Sequence, residues 1–534
     1  MKYPRRRAPL AVRIGGFICG HFVLPVMAFC QFTNLSTTWD GSRLYLISAL
    51  RQHGTMQPLS PKIFVLFGDA LSLMYQLPAA NDLYSQYTVR TLQAAGDGTW
   101  VVYGTQRNCT GGSSCFLNEQ RSAVLVSATG QTEALGANAR LSRDGRWLLL
   151  HSSPGVMFSF FWRVDRRTGA RTDLSAVARP ASEPSVSLDG AVMIPAQGRL
   201  VLWRDGAVKT LAGAVDAAVM DDTASTVVYQ EAGLARLRVM DVATGAVWPL
   251  GPDERDNFAP VLSGEGSHVL YLSRIGAKPQ AFFSRRDGSE WRQLTDLESG
   301  VLEATLSGDG RVAWVLSGDG EILRIETQSG VSAKAIGPTP EITGPNDGAA
   351  GSAVIVRGSG LGWVRDAHIG GRSVEWRILT PGELLLQIPW DAPRGQTEFE
   401  VTGGDERLDV AVPFTVREYW PSTVVAIHED FSVPVSDSSP VRRGEILHLY
   451  AMGLGPLGAS GRTTLPWRWV WSSLADRPAE VLYAGVAPGL PGFYQVDVRA
   501  PLDVSSPLLM LAVQLMPPEG GWFQWGMGVW LVEP

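Results

Sequence analysis

Three tryptophans, Trp467, Trp469 and Trp471, alternate with Arg468 and Val470 near the C-terminal end of the chain. On a strand, alternate residues share one face, so the three indoles form a row. Such a row can stack on sugar rings or on a partner surface, and Arg468 can lie across a ring. Trp522, Trp525 and Trp530 add a second aromatic stretch. The same alternation also fills the core of a sandwich or its interface with a neighbouring module, and the spacing alone favours that packing use over ligand binding.

Other chemistry-bearing residues are scattered. Nucleophilic catalysis needs a serine beside a histidine with an orienting acid. The histidines beyond the N-terminal segment are His53, His151, His268, His368, His428 and His448, and no Gly-x-Ser-x-Gly elbow accompanies them. No His-Glu-x-x-His pattern is present, so no zinc site is expected. His268 opens a strand-like run and His448 lies inside one, so both read as structural. Asp221, Asp222, Asp253, Glu254 and Asp256 are acids in turns. A glycosidase needs two carboxylates about 5–10 Å apart, and linear spacing does not show such a pair. Turn aspartates more often accept hydrogen bonds from the amides that follow them. The calcium-loop alternation of ligands is missing. Gly358, Gly360 and Gly362 form a glycine-rich stretch without a helix pattern after it, which reads as a turn rather than a phosphate loop. No catalytic residue, metal or cofactor is assigned.

The chain has 534 residues, room for about three domains. Only 18% are charged and the net charge is −6, with no basic block beyond the first residues. Nucleic-acid binding is disfavoured, because phosphate neutralisation needs a concentrated cationic face. Lys2, Arg5, Arg6 and Arg7 precede an apolar run over 14–27 and the small residue Ala28. This reads as a secretory signal cut after Ala28, too short to span a membrane, leaving no transmembrane segment in the mature chain. Phe29 stands where a lipidated Cys30 would need a small residue, which disfavours a lipid anchor. Cys109 and Cys115 flank Thr110-Gly111-Gly112-Ser113-Ser114, and in an oxidising compartment a disulfide is expected between them. Cys19 leaves with the signal.

The elements that position these residues are written by a repeat. Seven acidic turns recur between apolar runs: Trp39-Asp40-Gly41, Gly96-Asp97-Gly98, Arg143-Asp144-Gly145, Leu188-Asp189-Gly190, Met220-Asp221-Asp222, Gly264-Glu265-Gly266 and Gly308-Asp309-Gly310. Their acidic residues are spaced by 57, 47, 45, 32, 44 and 44 residues. The fullest unit runs over 259–295, with four short apolar runs punctuated by Gly264-Glu265-Gly266 and Arg286-Asp287-Gly288. Four strands per unit at this period point to a β-propeller, with seven blades favoured and six if the Asp221-Asp222 unit or the first unit is not a blade. The stretches 259–295 and 304–325, together with Ser142, Asp144 and Gly145 before Trp147, resemble TolB-type propeller repeats. That resemblance implies docking of a protein or ligand in the cell envelope and no fixed catalytic residues.

The period stops near Gly337 and Pro338. The strand-like runs 351–358, 367–371, 384–389 and 399–402 suit a β-sandwich. This section resembles the TIG (IPT) immunoglobulin-like domains. The phrases at 427–431, 440–450, 453–456, 481–485, 487–489 and 492–498 together resemble the C-terminal β-sandwich of acidobacterial secreted proteins, with 465–471 as an inserted departure. That resemblance implies export and a modular surface role. The expected organisation is therefore a signal peptide over 1–28, a propeller over 29–336, an Ig-like module over 337–417 and a second sandwich over 418–534. The expected function is a non-catalytic binding or scaffold protein, secreted or periplasmic, with a protein or glycan ligand in the cell envelope. A carbohydrate-active enzyme with funnel carboxylates and a structural envelope component are the alternatives.

Overall fold

The computed structural model describes residues 33–530 except 49–50, 53–61, 77–85, 97, 108–118, 128–130, 136, 152–159, 421, 437, 456–466, 473–476, 479, 491, 501, 503–507 and 516–522. The signal segment, Cys30 and the Cys109–Cys115 pair lie outside the described residues. What is described is almost wholly β, with one 3-10 turn at Leu361–Trp363. Among the described residues no helix is long and apolar enough to cross a membrane.

Seven consecutive four-stranded antiparallel meanders make the seven blades. Blade 1 begins with Thr33–Thr37 and ends with Ala70–Gln76, and blade 7 runs from Val301–Leu306 to Ser332–Ile336. The short Asp221-Asp222 unit is a true blade, Val215–Met220 to Val247–Leu250, as is the first unit. The second strands are the most apolar: Arg43–Ser48, Trp147–His151, Val192–Ala196 and Val312–Ser317 are buried along nearly their whole length. A strand buried on both faces reads as a continuous apolar run, and here the two covering surfaces are the neighbouring blades. The first strand of each blade packs against the inner strands of its neighbours, and the first strand of blade 1 touches those of blades 2 and 7. The ring is closed.

Among the described residues no blade borrows a strand from the other end of the chain, and the contacts seen across the seam are of other kinds. The Glu303 carboxylate of blade 7 accepts the amides of Asn34 and Leu35 of blade 1 at 2.8 and 2.7 Å. The Asp309 amide donates to the Trp39 carbonyl at 3.0 Å. Apolar packing across the seam joins Leu44, Leu46, Phe64 and Leu66 to Val312, Trp314 and Leu316 in one buried cluster that continues into the next module.

That module is a sandwich. One sheet is ordered Glu341–Gly344, Ala353–Ser359, Glu383–Gln387, Glu375–Thr380; the other contains Leu408–Arg417, Gly395–Thr402 and Asp366–Ile369. Its edge is completed from outside: Arg51–Gln52, in the connection between the second and third strands of blade 1, pairs with Asp409 and Leu408. Arg407 donates to the backbone carbonyls of Asp69 in blade 1 and Ala335 in blade 7, each at 2.7 Å. The sandwich thus grips both blades at the closing seam. The second sandwich has the sheet Ser422–Ile427, Ile446–Met452, Tyr494–Arg499, Glu480–Val486, and a second sheet built on Trp467–Ser472, Leu508–Leu515 and Phe523–Trp530. Here Trp467, Trp469 and Trp471 are registered with Leu515, Val513 and Leu511, which are registered in turn with Phe523, Trp525 and Met527. The row that carries the three tryptophans is apolar across all three strands.

Candidate functional site at the propeller mouth

Each repeated acidic turn connects the first and second strands of its blade, so all seven lie on one face of the ring. Six follow a frame of four residues, polar or small, variable, acidic, glycine. In blades 3, 4, 6 and 7 the frame opens with Ser142, Ser187, Ser263 and Ser307; Thr38 and Ala95 open it in blades 1 and 2. The amide of the first residue and that of the glycine close the turn, as in Ser142 N to Trp147 O at 2.9 Å and Gly145 N to Ser142 O at 2.9 Å. The acidic side chain holds the turn from within. Asp40 accepts from the Ser42 amide and the Thr38 hydroxyl, which bring its pKa down to about 2. Asp309 accepts from Arg311 N and Ser307 Oγ. These are conformational carboxylates.

Blade 5 corrects the alignment read from sequence. Asp221 N bonds to Thr226 O and Ala224 N to Asp221 O, so Asp221 stands in the serine position. Asp222 takes the variable position and Ala224 the glycine position, at φ 52°. Asp221 accepts four hydrogen bonds, from the Ser225 and Thr226 amides and the Thr223 and Ser225 hydroxyls. Its side chain replaces both the serine and the acid of the other turns.

The variable position has a single geometric meaning, which the sequence reading missed. Gly96 N donates to Arg143 O, Leu188 N to Asp222 O, Asp222 N to Gly264 O and Gly264 N to Gly308 O, at 2.6 to 2.9 Å. Residues in this position therefore chain together around the axis. Their side chains are Trp39, Arg143, Leu188 and Asp222, with glycine in blades 2, 6 and 7.

Three of these side chains meet across the ring. Arg143 of blade 3 sets its Nε 3.1 and 3.0 Å from the two carboxylate oxygens of Asp222 in blade 5. Its guanidinium lies 5.8 Å from the ring centre of Trp39 in blade 1. Blades 1, 3 and 5 are not neighbours, so contact among them puts the group on the axis. Trp39 lies on the backbones of blades 6 and 7: a Cβ on Gly264 or Gly308 would come within 2.3 Å of the indole. Glycine at those two turns makes room for the ring. Trp39 stays 40% exposed, whereas the Asp222 side chain is only 12% exposed. Burial raises the Asp222 pKa, with Arg143 opposing the shift. Asp222 Oδ2 is buried without a well-formed hydrogen bond.

The mouth thus offers an open aromatic face beside a cation whose charge is paired with a buried carboxylate. That set can stack on a planar or ring-shaped group. Asp222 is ion-paired with Arg143, and the charges of Asp221 and Asp144 also act on it.

Elsewhere, His268 stacks on Phe283 with ring centres 5.1 Å apart, and burial lowers its pKa. His428 Nδ1 lies 2.8 Å from Glu445, and its Nε2 is 3.1 Å from both the hydroxyl and the carbonyl oxygen of Ser439. His448 Nδ1 lies 2.7 Å from Asp497, with Phe431 stacked on the ring at 3.8 Å. Among the described residues no group of three His, Cys, Asp or Glu side chains is placed to hold a metal ion.

No protein-family model matches the chain, and no curated protein sequence matches it. Among solved structures it is similar to TolB from Acinetobacter baumannii, at 14% identity over 49% of this chain and 54% of that one, with a TM-score of 0.28. It is similar to a prolyl endopeptidase at 10% identity over 80% of this chain and 55% of that one, with a TM-score of 0.42. A third similar structure is Hsv2 from Kluyvelomyces marxianus, at 11% identity over 56% of this chain and 92% of that one, with a TM-score of 0.36. The chain spans about half the length of the TolB and prolyl endopeptidase chains it matches.

Proposed function

We propose that this protein is an exported, non-catalytic binding scaffold that takes a protein or glycan ligand of the cell envelope at the axial mouth of its propeller. One observation carries the reading. The single variable position of an otherwise repetitive turn brings Trp39, Arg143 and Asp222 together on the axis, with Arg143 against both of the others. Repetition of the rest is explained by turn chemistry; the side chains at this position add recognition chemistry to it. Export is supported by the basic and apolar N-terminal segment. The resemblance of the two sandwiches to TIG-type and acidobacterial surface modules supports a spacer or accessory role for them.

The test is a binding screen of the mature chain against envelope proteins and glycans, repeated with Trp39→Ala and Arg143→Ala. Binding that falls in both variants while the fold is kept supports the proposal. Unchanged binding, or turnover of a bound molecule at enzyme-like rates, overturns it.

A further inference from the structure

The two sandwiches meet around Ser352 and Ala353. Ala353 N donates to Gly492 O at 2.8 Å, and Ser352 Oγ accepts the Gly453 amide. Beside this contact lies a cleft of about 350 Å³, between Gly351, Gln387 and Trp390 on one side and Leu490, Gly492 and Phe493 on the other. Small-molecule sites favour such junctions, and this volume falls at the lower end of their range, ~300–1,000 Å³.

Trp390 is the notable wall. Gly351 has φ 78°, and a Cβ there would lie 2.1–2.3 Å from three indole atoms. The indole therefore rests flat on the Gly351 backbone, fixed from beneath, while 45% of the residue remains exposed. A ring held this way is a platform that loses little freedom on binding. Leu490 on the facing loop is 46% exposed. None of the cleft's lining residues carries a charge. The Tyr494 hydroxyl, which also borders the cleft, already donates to Gly455 O at 2.5 Å. Besides Tyr494, Gln387 at the end of the strand Glu383–Gln387 is the lining residue whose side chain is polar.

We infer that this cleft is a subsite for one neutral sugar ring of a glycan, with the pyranose face on Trp390 and a hydroxyl on the Gln387 amide. The chemistry selects the occupant. An uncharged lining disfavours phosphates, uronic acids and peptide termini, whose desolvation would go uncompensated. A fixed indole together with an amide matches a ring that has one C–H face and a hydroxyl rim. The site is separate from the propeller mouth and does not rest on the function proposed for it.

Affinity electrophoresis of the full mature chain through gels containing soluble neutral glucans, mannans or xylans tests this, with charged polysaccharides as the contrast. A neutral glycan should retard the protein. Trp390→Ala should weaken that retardation about tenfold, equivalent to ~1.4 kcal/mol. Trp390 also packs on Gly351, so Leu490→Arg supplies a second variant: it obstructs the cleft from an exposed position and should abolish retardation with melting unchanged. Competition by a free methyl glycoside would identify single-ring binding, and competition only by oligomers would identify a polymer subsite; both fit the inference. Absence of retardation by every neutral glycan, retardation by charged polymers alone, or retardation unaffected by Leu490→Arg would overturn it.

Discussion

Glu303 should control whether the ring stays shut. Replacing it with glutamine keeps the size but leaves one acceptor oxygen for two inward-pointing amides, those of Asn34 and Leu35. One amide then faces an NH2 group and loses its partner. An unsatisfied donor of this kind costs about 1–3 kcal/mol, so Glu303→Gln should destabilise the seam by about 2 kcal/mol. Glu303→Ala strands both amides and should cost about 3–5 kcal/mol. The wild-type carboxylate bears its own penalty, because burial raises its pKa above 4.5. The folded state therefore binds the Glu303 proton more tightly than the unfolded chain does. Its contribution to stability falls as pH rises from about 4.5 through the raised value, then stays flat. The gap between wild type and Glu303→Gln should accordingly widen as pH drops through that window. Hydrogen exchange at the amides of Thr33–Thr37 reads the seam directly, and thermal melting reads the whole chain. Protection of Asn34 and Leu35 that is unchanged in Glu303→Gln would refute the reasoning.

Three further outcomes follow from the same geometry. Ala224 occupies a glycine position at φ 52°, where a Cβ costs about 1–2 kcal/mol, so Ala224→Gly should raise stability by about 0.5–1 kcal/mol in urea melts after glycine's own entropy is set against it. His268 is held neutral by burial, with Arg285 adding to the effect; stability should drop as pH falls below about 6.5 toward the depressed value, and the drop should shrink in His268→Gln. Arg407→Ala removes the bonds to Asp69 and Ala335 and leaves Asp405 without its ion-pair partner; limited proteolysis should then release the first sandwich from the blades, at a loss of about 2 kcal/mol after allowance for partial exposure.

The ring was largely legible in the chain because a blade is local. Each meander closes within some 40 residues, and the acidic turns mark the same corner seven times, so four-strand units and their number could be counted. Blade 5 misled because one aspartate, Asp221, does the work of two residues and Ala224 adopts a backbone conformation that the sequence pattern assigns to glycine. What could not be read was whatever depends on closure. Arg51–Gln52 is too short for periodicity to reveal, and its partner Leu408 lies more than 350 residues away. Trp39, Arg143 and Asp222 each look like ordinary turn neighbours until the ring brings blades 1, 3 and 5 to one axis. A frame-by-frame alignment of the turns would have isolated their shared position. Gln387 and Trp390 gain meaning only where the two sandwiches meet.

The direct test of the account is where a ligand contacts the propeller. A photo-reactive amino acid placed at Leu188, in the axial position but outside the Trp39–Arg143–Asp222 group, should crosslink to ligand bound by the mature protein. Trp39→Ala in the same chain should remove that crosslink. A ligand crosslinked equally well with Trp39 absent, or captured only from the outer strands of the blades, would contradict it.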